Sequence, residues 1–162
     1  MSLHDLKPGG LYIHLTYRDE PPPEDVYHWG LYLHVDTEKG GTKYHITNES
    51  SGWIADHGVT TGAFKSSFLV GMIRTADVPA GRLEGADRII RSYDTTLNNI
   101  GKINCRQWVL RIMVLLQEEG ILRCQNLDTL ERETLNWSNE HRFSAVLAKK
   151  PRPITDSKLC EL

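Results

Sequence analysis

Long apolar runs are absent from this 162-residue sequence. The longest, at 68–73 and 108–116, fall well short of the roughly 20 residues needed to span a bilayer. The N-terminal MSLHDLKPGG has no apolar segment of the kind a signal peptide carries. A soluble, cytoplasmic protein with no transmembrane segment is expected. Charge of one sign is missing too. The net charge is -2, and the 19 Lys and Arg residues are scattered rather than gathered in a stripe, which argues against a nucleic-acid partner. Gly81, Gly85 and Gly101 are too irregular for a phosphate loop, and no G-x-x-x-x-G-K-[ST] occurs, so no nucleotide is indicated. Cysteine is scarce: Cys105, Cys124 and Cys160 form an odd set without C-x-x-C spacing. That argues against both a disulfide framework and a cysteine zinc finger, and each is expected as a free thiol.

What is present divides into a strand-rich first half and a helix-rich second half, an α+β pattern, with one domain over 1–150 and a surface tail at 151–162. Alternation predicts strands at 11–17, 26–35 and 42–48, with further strands near 53–55 and 63–76. Pro21, Pro22 and Pro23 make the first connection extended and exposed. A helix at 79–91 is weakened by Gly81 and Gly85. The firmest helix is 104–119, where Trp108, Val109, Ile112, Leu115 and Leu116 recur at helical spacing and Gly120 supplies the stop. A last helix is expected from Asp128, capped by that residue with Glu131 as its capping-box partner, with a break near 137–139.

The stretch YHWGLYLHV at 27–35 is unusual for a buried strand. Alternation puts Tyr27, Trp29, Leu31, Leu33 and Val35 on a core face, and Val26, His28, Gly30, Tyr32 and His34 on the other. Imidazoles, a phenol and a glycine suit a face that borders a cleft. An even-numbered turn after this strand would bring His45 onto the face of His28; an odd one would bury it on the opposite side. Cys105 opens the strong helix, and its spacing from Trp108, Val109 and Ile112 turns it inward, toward the sheet. A cysteine in the first helical turn feels the positive end of the helix dipole, which with a neighbouring imidazole favours the nucleophilic thiolate.

These blocks carry a resemblance. His28-Trp29-Gly30-Leu31-Tyr32, then His45-Ile46, then Asn104-Cys105-Arg106-Gln107-Trp108-Val109 resemble the circularly permuted papain-like proteins of the NlpC/P60 superfamily. The pattern is most similar to that of the lecithin:retinol acyltransferase-like family, with its H-W-[AG]-x-Y strand, second His and N-C-E-H-F-V helix start. Arg106-Gln107-Trp108 stands where that family has Glu-His-Phe. The resemblance implies a permuted papain-like fold, an antiparallel sheet flanked by helices, and a thiol enzyme without cofactor or metal. In it Cys105 attacks a carbonyl, His28 is general base and acid, and His45 orients His28, with Asn48, Glu49 or Asp94 as alternatives to His45. The backbone N–H of Cys105 is a natural oxyanion donor. Tyr12, Tyr32, His34 and Asn104 are candidates for the remaining substrate and oxyanion contacts. The expected activity is a hydrolase or acyltransferase acting on an ester, amide or thioester of a small molecule, lipid or peptide. An (iso)peptidase, or a binding and regulatory domain without turnover, are the alternatives.

Zinc is a rival for these ligands, but His28 and His34 lie about 20 Å apart along an extended strand and cannot share one ion. His57 and His141 are expected on loops or helix surfaces, Cys124 in core or strand packing, and Cys160 as an exposed thiol.

Overall fold

The computed structural model describes residues 3–162. It is α+β. Six strands form one sheet: β1 (Gly10–Thr16), β2 (His28–Asp36), β3 (Gly40–Tyr44), β6 (Gly58–Thr60), β7 (Leu69–Asp77) and β8 (Ile154–Asp156), in the order β6-β3-β2-β1-β7-β8. A separate two-stranded ribbon pairs β4 (Ile46–Glu49) with β5 (Gly52–Ala55). The helices are α1 (Leu83–Ile90), α2 (Cys105–Glu118) and α3 (Leu127–Val146).

The two faces of the sheet are covered differently. Leu11, Ile13 and Leu15 of β1, with Trp29, Leu31 and Leu33 of β2, join one large core with the helices. α2 supplies Cys105, Trp108, Val109, Ile112, Met113 and Leu116, the inward stripe that its spacing predicts except that Met113 is buried and Leu115 only half-buried. Full burial of each large apolar side chain contributes about 1.5–3 kcal/mol, so this stripe is a main anchor of the helix. Gly120 ends the helix region with φ +72°, a conformation that glycine adopts at little cost. On the opposite face Tyr12, Tyr32, Leu69 and Met72 form a smaller cluster, closed by Leu6 and Ala63.

Several expectations are corrected. The sheet is mixed, because β8 runs parallel to β7. Residues after Lys150 are not a loose surface tail: they supply β8, bury Arg152 and Ser157, and bring Cys160 to Cys124. Those two cysteines form a disulfide across 36 residues, so only Cys105 is a free thiol. An odd cysteine count says nothing against one bonded pair, and the closure depends on the return path of the tail. There the backbone of Gln125 bonds to Leu159 and that of Glu161 to Arg123. α3 runs unbroken through Trp137, and its cap is Asn126, which accepts from the Thr129 N–H at 3.0 Å, rather than Asp128. Glu131 meets Arg106 at 3.4 Å in place of a capping box. The strand expected at 42–48 is interrupted at His45, where the chain leaves the main sheet for the ribbon. The strand expected from residue 63 starts only at Leu69.

Candidate active site

The interruption at His45 builds the site. In the β2–β3 ladder Leu31 faces Tyr44 and Tyr32 faces Lys43, so the next position sets His45 beside Gly30, on the face of His28. Gly30 is the residue that permits this. A Cβ there would lie 2.9 Å from the Tyr44 carbonyl oxygen and 3.3 Å from the His45 Cβ. With that space open, His28 Nε2 and His45 Nδ1 come to 2.9 Å, and His45 Nε2 lies 3.3 Å from Asp56 Oδ2.

Cys105 approaches from the other layer. Asn104 caps α2 by accepting from the Gln107 N–H at 2.8 Å, which fixes Cys105 as the first residue of the helix. Its sulfur lies 3.8 Å from the carbonyl oxygen of Tyr27, the residue that leads into β2. Between Cys105 and His28 stands Arg18, a residue the sequence reading did not single out. One guanidinium nitrogen, Nη2, donates to His28 Nδ1 and to Cys105 Sγ, each at 3.3 Å.

These contacts fix the tautomers. Guanidinium can only donate, so His28 Nδ1 is an acceptor and neutral His28 carries its proton on Nε2. That proton goes to His45 Nδ1, which leaves the His45 proton on Nε2, facing Asp56. The lone pair of His28 is thereby aimed at the side of Cys105. Burial, reinforced by the charges of His45, Arg18 and Lys43, holds the His28 imidazolium down to about 4, so the ring is a neutral base at pH 7. His45 is lowered as well, by burial first and Lys43 second, with Asp56 acting in the opposite direction.

A cavity of ≈ 530 Å³ opens on this group, lined by Arg18, Asp25, His28, Asn48, Trp53, Asn104, Cys105 and Arg106 among others. That volume suits a small molecule or a few residues of peptide. The first-turn amides of Cys105 and Arg106 have no helical carbonyl ahead of them, and both residues line the cavity. A second cavity of ≈ 310 Å³ lies beyond His45 and is lined by His14, Tyr32, Lys43 and Asp56. The linked rings of His28 and His45 therefore connect two cavities.

The other expected contacts go elsewhere. Tyr12 accepts from the Lys7 N–H at 2.9 Å, and Tyr32 pairs with His34 Nδ1 at 3.0 Å, both in the interior. His34 is fully buried, and none of the three lines the Cys105 cavity. Asp94 does not reach His28 or His45; it bonds His57 Nε2 at 2.9 Å. His57 does lie in a loop, but its ring is buried and accepts the backbone N–H of His45 at 3.1 Å. Residues 56 and 57 are thus the local support that sequence reasoning missed. Asp-His between two short strands was the available signal. Among the described residues, no group of three or more His, Cys, Asp or Glu side chains is placed to hold a metal ion, and no helix is long and apolar enough to cross a membrane.

No curated protein and no solved structure matches the chain. One family model does, over residues 13–123, a span that takes in Arg18, His28, His45, Asp56 and Cys105 and stops one residue before Cys124. The matched span covers more than half of the sequence, and the chain belongs to that family, a family of unknown function (DUF6540).

Proposed function

We propose that the protein is a thiol hydrolase or acyltransferase of permuted papain-like fold, working through an acyl-enzyme on Cys105. The observation that carries the reading is the directed chain Asp56–His45–His28, which ends in a lone pair on the side of a cysteine at a helix N-terminus. Support also comes from the order of the parts, two histidines on successive strands followed by the cysteine that opens the helix packed on those strands.

The chemistry follows from the geometry. Cys105 Sγ attacks the carbonyl carbon of an ester, amide or thioester while its proton passes to His28 Nδ1. The new imidazolium keeps its Nε2–H on His45, which Asp56 backs. The tetrahedral oxygen gathers negative charge where the Cys105 and Arg106 amides point, at the positive end of α2. Collapse expels the alcohol, amine or thiol, which takes the proton from Nδ1 and leaves a thioester on Cys105. Water or a second nucleophile then gives its proton to Nδ1, attacks the thioester carbonyl and restores the thiol.

The test is an incubation with 4-nitrophenyl acetate and a panel of amino-acid and fatty-acyl thioesters, followed by intact-mass and peptide mass spectrometry. The reading requires an acyl group on Cys105, absent from Cys105→Ala. A chain that releases nitrophenolate equally well without the thiol, or never carries the acyl group there, is not this kind of enzyme. A second reading, a ligand-binding domain without turnover, is favoured by one observation: Arg18 stands between sulfur and imidazole. It requires that ligands bind the cavity with equal affinity in Cys105→Ala and that no acyl-enzyme forms.

A further inference from the structure

Among the described residues, Arg18 is also the one lining charge of the Cys105 cavity without an ionic partner. The other two are committed. Arg106 lies 3.4 Å from Glu131, and Asp25 accepts from Asn139 at 2.8 Å and meets Arg132 at 3.4 Å. Arg18 donates only to an imidazole nitrogen and a sulfur, and among the described residues it forms no ion pair with a carboxylate. It sits in the irregular segment between β1 and β2 and is exposed. A guanidinium offers a planar fork of donors that a carboxylate fills with two parallel charge-assisted hydrogen bonds, each stronger than a bond to a neutral acceptor.

We propose that Arg18 is the substrate-recognition residue of the site and that the acyl donor carries a carboxylate close to its reacting carbon. Engaging that carboxylate turns the guanidinium off Cys105 and His28 and clears the path between Sγ and Nδ1. An acidic substrate in this way assembles the pair that acts on it. The inference rests on the Cys105–His28 reading and adds the class of substrate to it.

Iodoacetate and iodoacetamide test this, because they differ only in having a carboxylate or a neutral amide. In each alkylation Cys105 Sγ forms a bond to carbon, the carbon–iodine bond breaks, iodide leaves with its electron pair, and the thiol proton passes to His28 or solvent. The quantity is the ratio of the two rates at Cys105, followed by peptide mass spectrometry and divided by the same ratio for glutathione. The folded wild-type protein is expected to favour iodoacetate by about tenfold over that reference, the low end for charge-assisted recognition. Arg18→Gln should fall to within about twofold of glutathione, and Arg18→Lys, which keeps the charge but loses the fork, should fall between. A wild-type ratio equal to that of glutathione, or a preference that survives in Arg18→Gln, overturns the proposal. His28→Ala separates the two levels. If it slows iodoacetate while Arg18→Gln leaves the ratio untouched, only the carboxylate assignment falls. If it leaves iodoacetate untouched, the Cys–His reading falls and takes the assignment with it.

Discussion

Two histidine–aspartate pairs lie side by side, joined through the backbone N–H of His45, and their surroundings separate their roles. His57 is packed between Tyr44, 5.3 Å away edge-on, and Trp108, 5.7 Å away and stacked, with its side chain 2% exposed and its partner Asp94 24% exposed. Every polar atom of that ring is committed to the fold. His45 pairs with an aspartate that is 65% exposed and passes its other nitrogen to His28, whose Nδ1 lone pair, met by Arg18, lies at a cavity. The same two residue types make a fixed post in one case and, in the proposed mechanism, a proton-handling chain in the other. What differs is whether the line of hydrogen bonds ends in the core or at the cavity that Cys105 lines.

The comparison can be broken by removing each ring in turn. His57→Ala should cost about 3–5 kcal/mol of stability in urea unfolding, since it opens an aromatic-sized hole and strands Asp94 and the His45 N–H. His45→Ala should cost under about 2 kcal/mol yet slow Cys105 acylation about tenfold. Equal stability losses from the two would erase the distinction. A control of comparable size comes from the far end of α2. Losing the Cys124–Cys160 bond, in Cys124→Ser with Cys160→Ser, should cost about 2–4 kcal/mol because a loop of 36 residues is no longer closed in the unfolded chain. Cys105 reactivity should not change, and a parallel fall would mean that it tracks stability rather than a built site. Gly30→Ala tests the junction itself. The added methyl meets the Tyr44 carbonyl and the His45 Cβ, so a loss of about 1–3 kcal/mol is expected. The 2.9 Å ring contact should open and acylation should fall with it; a variant with wild-type stability and rate would deny Gly30 its spacing role.

A further effect is on pH dependence. Because His28 is held down to about 4 in the folded protein against 6.5 for an ordinary histidine, the unfolded chain binds its proton first as pH falls. Its contribution to stability is therefore complete above pH 6.5 and is lost between 6.5 and 4. His28→Asn should flatten the stability curve in that window by up to one proton, read from urea titrations at several pH values. Buried His14, held down to about 3, extends the same trend to lower pH and should persist in the variant.

Much of the site was legible in the sequence, and the reasons it was not all legible are physical. Alternation put His28 and Gly30 on one face because side-chain period in a strand is fixed, but left the face of His45 to the parity of the turn, and helical spacing turned Cys105 inward. Alternation gives a face but not a position along it. Tyr32 shares the face of His28 but stands four residues farther along, about 13 Å away at strand rise, which is why it pairs with His34 and not with the reacting groups. Arg18 and His57 come from irregular segments, where no period announces a direction, and their partners lie 87 and 37 residues away. The disulfide and β8 depend on how the last residues return to the sheet, which local pattern does not encode.

The most direct test of the central claim is the stopped-flow burst of nitrophenolate from 4-nitrophenyl acetate at pH 7, for wild type and His28→Ala, with folding checked by circular dichroism. The account predicts one equivalent of burst on Cys105 and a rate at least about a hundredfold lower in His28→Ala, the low end for a lost general base. Equal burst rates in the two folded proteins would contradict it, and the histidine chain would then be structural.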